Sequence, residues 1–282
     1  LFLRAFGTEL YGYWGALLGL TSYLALLNLG IAQTVSSKAS TADPTDRDAV
    51  PRAVRAGLAS YARICAVALP PVALLAALAP WASWFVLPES WARAATAAAV
   101  AVGVSFVLEL PFSVFRAALH GSGAVATERA ISSAAVALRL GAAWVFAHAR
   151  PSLWLAILIL SVVTMFGHVG CAVALWRRFP SLFTRDVGAL EGDEKRRFRL
   201  AGWGYFVLQI AGAVVWATDA FIAGVTLGAD SAARVSVAWR VLSIVLAVSS
   251  LVAPALAPTL AQAWASGDRE RAAKLATHTS QV

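Results

Sequence analysis

Charge is scarce in this chain. Only 13% of its 282 residues are Asp, Glu, Lys or Arg, while 60% are hydrophobic, and the mean hydropathy is +0.72. A water-soluble chain with so few charges could not cover its core, whereas lipid accepts an apolar exterior. Cysteine is nearly absent too. Cys65 and Cys171 both lie inside apolar stretches, which reads as two small buried hydrophobes rather than a disulfide framework. Catalytic signatures are also missing. There is no Gly-x-x-x-x-Gly-Lys loop for ATP, no His/Cys cluster at metal spacing, and no serine–histidine signature for a nucleophile. No metal or other cofactor is expected, and an enzyme is not the reading the sequence favours.

What is present is a series of apolar runs. Seven candidate spans cover Tyr11–Ala32, Gly57–Leu78, Ala94–Phe115, Ala130–Ala147, Leu153–Trp176, Ala201–Leu227 and Val235–Leu256. Each is long enough to cross a hydrocarbon core of about 30 Å as a helix. Spans and loops then use up the chain and leave no room for a soluble catalytic domain. Alanine dominates several spans, and the Gly15-Ala16-Leu17-Leu18-Gly19 spacing suits close helix packing. No charged start leads into a short apolar core with a small-residue site, so no cleavable signal is expected. The opening at Leu1, in a short polar-edged segment, leads us to expect a fragment.

The net charge of +8 is spread through the loops beside apolar spans, which indicates membrane topology rather than nucleic-acid binding. Sixteen of the 23 Lys and Arg residues fall in alternate connections: Lys38–Arg55, Arg116–Arg129, Arg177–Arg199 and Arg269–Lys274. Four, Arg4, Arg93, Arg150 and Arg234, fall in the opposite set, and Arg63, Arg139 and Arg240 fall within spans. That bias predicts the first set to be cytoplasmic. Trp81, Trp84, Trp91 and Trp154 on the other side match an interfacial aromatic belt. Residues 177–199 read as a solvated cytoplasmic linker that sets the last two helices apart, with an anionic-lipid or partner contact as the alternative.

The first and last spans echo each other at an offset of 221 residues: Phe6-Gly7-Thr8-Glu9 lies over Leu227-Gly228-Ala229-Asp230. Both spans descend to a small polar stretch, followed by acid and arginine at Asp46-Arg47-Asp48 and Asp268-Arg269-Glu270. Two related helical halves are a common transporter plan, with substrate bound between repeats. Three stretches carry a resemblance: Phe6-Gly7-Thr8-Glu9-Leu10-Tyr11-Gly12-Tyr13-Trp14 closing with Leu27-Asn28-Leu29-Gly30, then Ala217–Gly228, then Pro254-Ala255-Leu256-Ala257-Pro258 before Gly267-Asp268. In their order and spacing they resemble the multidrug/oligosaccharidyl-lipid/polysaccharide exporter superfamily and, within it, the Wzx-like oligosaccharide flippases of bacteria. The likeness runs the length of the chain. It departs from the family's pattern at Asn28, where an acid is more usual, and in lacking a first helix and everything after the eighth.

The resemblance implies an all-α polytopic membrane protein, a MATE-like helical bundle with about seven transmembrane helices. Residues 1–176 would be a first lobe lacking its first helix, 177–200 a cytoplasmic linker, and 201–282 the first two helices of a second lobe. It further implies a flippase that carries lipid-linked oligosaccharide across the bacterial inner membrane for O-antigen or exopolysaccharide synthesis. Its partners would be the polyprenyl pyrophosphate substrate, membrane lipids and polysaccharide assembly proteins. A cation-coupled multidrug exporter and a membrane-embedded enzyme or scaffold of polysaccharide assembly are the alternatives.

Charges at depth are costly and normally face a bundle interior or an aqueous cavity. The cavity candidates are therefore Arg139, Glu109, Asp219, Arg63, Arg240 and Asn28. Arg139 either contacts the substrate pyrophosphate or simply pairs with Glu109 on the adjacent helix. Asp219 matches a position that family members often fill with Asp, and serves either the cavity or helix packing. Arg63 and Arg240 are within reach of a membrane face and are expected to snorkel. Asn28 is expected to cap or cross-link its helix end, and His148 and His168 read as packing histidines.

Overall fold

A computed structural model describes residues 2–43, 45–149, 153–184, 187–188, 190, 192–216, 218–249, 263–264, 266–270 and 273. Among the described residues every regular element is helical. Lipid leaves backbone groups no water to bond, so a helix, which satisfies them internally, is what an apolar run must form. The elements are α1 (Phe2–Leu24), α2 (Ile31–Ser40), α3 (Ala49–Leu78), α4 (Trp81–Trp84), α5 (Ala92–Glu109) and α6 (Ser113–Gly121). They continue with α7 (Val125–Ala149), α8 (Leu153–Arg178), α9 (Gly192–Trp216), α10 (Thr218–Leu227) and α11 (Ala229–Ser249).

Five segments are long and apolar enough to cross a membrane: Gly7–Asn28, Ala49–Leu78, Glu89–Gly121, Val125–Phe146 and Trp154–Arg178. They overlap the first five expected spans, in order, the first ending at Asn28 rather than Ala32. The expected span 201–227 is shared between α9 and α10, and 235–256 follows α11 as far as Ser249. Residues 217 and 250–256 of those two spans lie outside the described residues.

The crossings are broken where the sequence demands it. Gly7 interrupts α1 with a φ of 79° and Gly228 precedes α11 with a φ of 87°. A side chain rarely adopts that conformation, and glycine does so without cost. The matching positions of the internal echo therefore share a backbone break. Between α1 and α2 the chain tightens into a 3₁₀ turn (Ala25–Asn28), followed by left-handed Leu29 and Gly30. Between α5 and α6, Pro111 cannot donate to Val107 four residues earlier, and a 3₁₀ turn (Leu110–Phe112) replaces the α-helical bonds. The freed Val107 carbonyl accepts from Leu110 N–H and from the Cys65 thiol at 3.2 Å.

Two buried clusters are stacked along the helix axes. One, at the tryptophan-bearing end, gathers Tyr13, Leu17, Trp81, Phe85 and Phe146 around the alanines of α5. The other, at the arginine-rich end, gathers Val35, Val54, Tyr61, Val114, Leu119 and Leu175. Tyr13 fills the first and donates its hydroxyl to Ala95 O at 2.7 Å, which settles a polar group that would otherwise be costly to bury. Outward-facing Val67, Leu74, Leu75 and Leu78 leave α3 with an apolar outer surface. That is the surface lipid favours.

The stretch expected to be a solvated linker is held to the bundle. Leu182, Val187 and Leu190 are buried. Arg55 of α3 donates to Leu182 O at 3.1 Å, to Val187 O at 2.7 Å and also to Thr184 O. Ser181 donates to Asp48 at 2.8 Å. Nor are the last helices set apart. α10 and α11 pack along α1, with Gly15 admitting Ser236 so closely that a Cβ there would fall 2.5 Å from its Oγ.

Candidate functional site

Polar side chains collect at mid-depth and run toward the arginine-rich end. Asn28 is the simplest to place. It sits at the break between α1 and α2, where the interrupted helix leaves backbone donors without partners. Its Oδ1 accepts from Ala32 N–H at 3.3 Å and from the Tyr61 hydroxyl at 2.5 Å, so Asn28 both caps α2 and ties it to α3. Ser113 of α6 reaches the same Tyr61 hydroxyl at 3.4 Å. The three residues form a structural junction between crossings.

Glu109 ends α5 just before the Pro111 break and is half-buried. Arg139, near the middle of α7, is exposed on the outer side of this bundle rather than enclosed. Its charge acts on the Glu109 carboxyl, but the two make no ion pair within 4.0 Å. The direct-pair reading is therefore not realised, and Arg139 instead lines a groove. Arg63 is exposed on α3 with no ion pair among the described residues, as a snorkelling arginine would be. Asp219 lies in the first turn of α10, where a carboxylate suits the helix dipole, and accepts weakly from Trp239 Nε1 at 3.4 Å. Arg240 is on α11, but its side chain lies outside the described residues. Asp219 does not line the groove.

The groove occupies about 400 Å³ between α6, α7 and α8. Its walls carry Arg116, Arg129 and Arg139, with Ser132, Thr164 and His168 between them. Periodicity explains the wall from α7: residues 129, 132, 136 and 139 recur at helical spacing on one face. Gly167 and Gly170 let α8 close on that face, against Ala135 and Ile131. His168 stacks on Phe112 with centroids 6.3 Å apart.

At the arginine-rich end of the groove sits the residue that sequence reasoning missed. Glu128 is 1% exposed, in the first turn of α7. It accepts from Arg116 Nε at 2.7 Å and Ser132 Oγ at 2.8 Å, and lies 3.6 Å from Arg129 Nε and 3.9 Å from His120 Nδ1. The sequence shows Arg116 and Arg129 only as topology-setting charges. What brings them together is the tight turn at Gly121–Gly123, which folds α6 back on α7. A carboxylate placed opposite arginines across a glycine turn is the signal that could have found it. His120 also borders a second cavity, of about 350 Å³, on the far side of the same carboxylate.

A third and wider hollow, about 1,210 Å³, opens at the arginine-rich end around 39–50 and 178–181. Its carboxylates are already engaged, Asp48 by Ser181. Hydrogen bonds from Arg52 hold the Asp46 carboxyl below the usual carboxylate range, and the Thr45 N–H and hydroxyl do the same for Asp43. Among the described residues no group of His, Cys, Asp and Glu is arranged to hold a metal ion. Comparison with protein-family models, with curated proteins and with solved structures gives no match.

Proposed function

We propose that this chain is part of a bacterial inner-membrane flippase, moving a lipid-linked oligosaccharide from the cytoplasmic to the outer leaflet without covalent chemistry. One observation carries the reading. α1 and α11, which echo each other in sequence and share a glycine break at Gly7 and Gly228, pack along one another. Repeats meeting at an interface are how secondary transporters place a substrate path between halves that rock. In this reading residues 1–176 belong to one lobe, 177–200 join the lobes, and 201–282 begin the second.

The deep charges support an anionic cargo. Arg139 has no ion pair among the described residues and sits at mid-depth, where an unpaired guanidinium is expensive unless a ligand or water reaches it. A pyrophosphate accepts the planar fork of an arginine in two parallel bonds. Membrane lipids and polysaccharide assembly proteins are the partners this implies.

The test is polysaccharide export by a full-length parent carrying this chain. Arg139→Ala is expected to reduce export by tenfold or more, and Arg139→Lys by less, because lysine keeps the charge and loses only the fork. Equal export by both variants and the parent would leave Arg139 structural. Unchanged export together with altered drug resistance would point to a multidrug exporter instead.

A further inference from the structure

The charge balance in the groove between α6, α7 and α8 is uneven. Three guanidiniums, those of Arg116, Arg129 and Arg139, line the groove, and one carboxylate, Glu128, engages two of them, Arg116 and Arg129. Glu128 engages Arg116 and Arg129 through their Nε atoms, and among the described residues no ion pair or hydrogen bond takes up their terminal nitrogens. Arg139 has no ion pair among the described residues. A net positive charge of two therefore stands in a cleft within a membrane-crossing part of the chain. Such a charge calls for a counter-anion: Arg139 lies at mid-depth, where water and other charged groups are scarce, and Arg116 and Arg129 lie at the arginine-rich end, at the level of lipid headgroups.

The cleft also defines the shape of its occupant. Arg129 and Arg139 are ten residues apart on α7, or about 15 Å along the axis at a rise of about 1.5 Å per residue. The polar wall is therefore long, and Ser132 and Ser133 place hydroxyls between the two arginines. The volume of about 400 Å³ is that of a small-ligand pocket, typically about 300 to 1,000 Å³. Val136, in the wall of the cleft, and Leu140, one turn beyond it on the same side of α7, are exposed and apolar. The rim is apolar and the floor basic. A peptide carboxylate offers no tail for such a rim, whereas a phosphate ester on an acyl chain fits both parts.

The geometry points to a binding site for a lipid-borne phosphate, the headgroup of an anionic phospholipid, held among Arg116, Arg129 and Arg139 with its chains along α7. Glu128 acts here as a positioning residue. Buried and bonded to Arg116 and Ser132, it fixes the guanidinium planes before the ligand arrives, which lowers the ordering cost of binding. The inference shares Arg139 with the transport reading, the phospholipid taking the place that the cargo's pyrophosphate would take there, and does not otherwise depend on it. A membrane protein of any activity could hold a lipid there.

Native mass spectrometry of the whole chain, purified in detergent, tests it by counting bound lipid against added phosphatidylglycerol or phosphatidylcholine. Phosphatidylglycerol is expected to bind at least fivefold more tightly. Arg129→Gln and Arg139→Gln should each weaken it about fivefold, given roughly 1 kcal/mol per basic residue near an anionic headgroup. Arg63→Gln, an exposed arginine on α3 away from the groove, should leave binding unchanged and serves as the control. All three positions are exposed, and equal melting temperatures will show that the variants remain folded. Glu128→Gln should weaken phosphatidylglycerol less than the arginine changes do, because it releases the guanidiniums without removing them. Equal binding of the two lipids overturns the site, as does loss of phosphatidylglycerol in Arg63→Gln equal to that in the groove variants. Displacement of the lipid by equimolar inorganic pyrophosphate would assign the groove to a free phosphate and overturn a lipid as its occupant.

Discussion

Asn28 shows how much one side chain can hold in a helix that breaks. Its Oδ1 serves two donors, Ala32 N–H and the Tyr61 hydroxyl, and Tyr61 itself is fully buried. Removing one partner of a buried hydrogen bond leaves the other unsatisfied, at a cost of about 1 to 3 kcal/mol, whereas removing both together costs less. Asn28→Ala is therefore expected to destabilise by about 2 kcal/mol and Tyr61→Phe by about 1 kcal/mol, with the double variant below their sum. Thermal unfolding of the purified variants in detergent measures all three, and strictly additive values would show that the contact contributes nothing. The capping half of this role was legible in the sequence, since Asn28 stands at the polar edge of an apolar span before Leu29-Gly30. The Tyr61 half was not, because it depends on the register of α3 against α1. Glu128 was missed for the same reason, since its partners Arg116 and His120 lie on another helix and only the glycine turn between them hinted at the meeting.

Between elements, approach distances are set by glycines at particular places. Gly30 is buried with a φ of 69°, and a Cβ there would fall 2.6 Å from Tyr205 Cβ and strike the Gly202 carbonyl. α9 therefore crosses the α1–α2 break in van der Waals contact. Gly204, two residues from that crossing, has nothing within 4 Å of where its Cβ would be. Gly30→Ala should cost about 1 to 3 kcal/mol from overpacking and backbone strain together. Gly204→Ala should stabilise, by up to about 1 kcal/mol, because alanine is the better helix former. Melting temperatures that fall equally for the two would contradict the contact. The linker gives a second lesson at this scale. Residues 177–199 read as solvated because their charges are conspicuous, yet Leu182, Val187 and Leu190 are buried and Arg55 caps three of the carbonyls. Apolar residues spaced within a charged run were the available signal, and an unpaired carbonyl near a membrane helix needs a donor from somewhere.

For the whole molecule, alternation of charge and tryptophan fixes two unlike ends. Arg116, Arg129, Arg178 and the 39–50 loop gather at one, Trp81, Trp84 and Trp91 at the other. Single-cysteine variants of the chain expressed in bacteria should react with an impermeant maleimide from outside at Ser83 and not at Thr45. Both positions are exposed in the fold, so access depends on the side of the membrane alone. Labelling of Thr45→Cys in intact cells would reverse the orientation. The packing of α11 along α1 belongs to this scale as well. The sequence echo between them made a relation between two halves visible, but not that the related helices would touch.

Composition and hydropathy by themselves determined that the chain is helical and where five apolar crossings run. In lipid no other structure satisfies an isolated backbone, so length and apolarity suffice. Breaks at Gly7, at Gly30 and at Pro111 were likewise local, written in residues whose allowed backbone conformations differ from the rest. Only the tertiary structure decided that Arg139 opens onto a groove instead of pairing with Glu109. The same is true of Glu128, which gathers Arg116 and Arg129 at the end of that groove. Those outcomes depend on the rotation and depth of one helix against another, which hydrophobic pattern leaves free because lipid does not distinguish one apolar face from another.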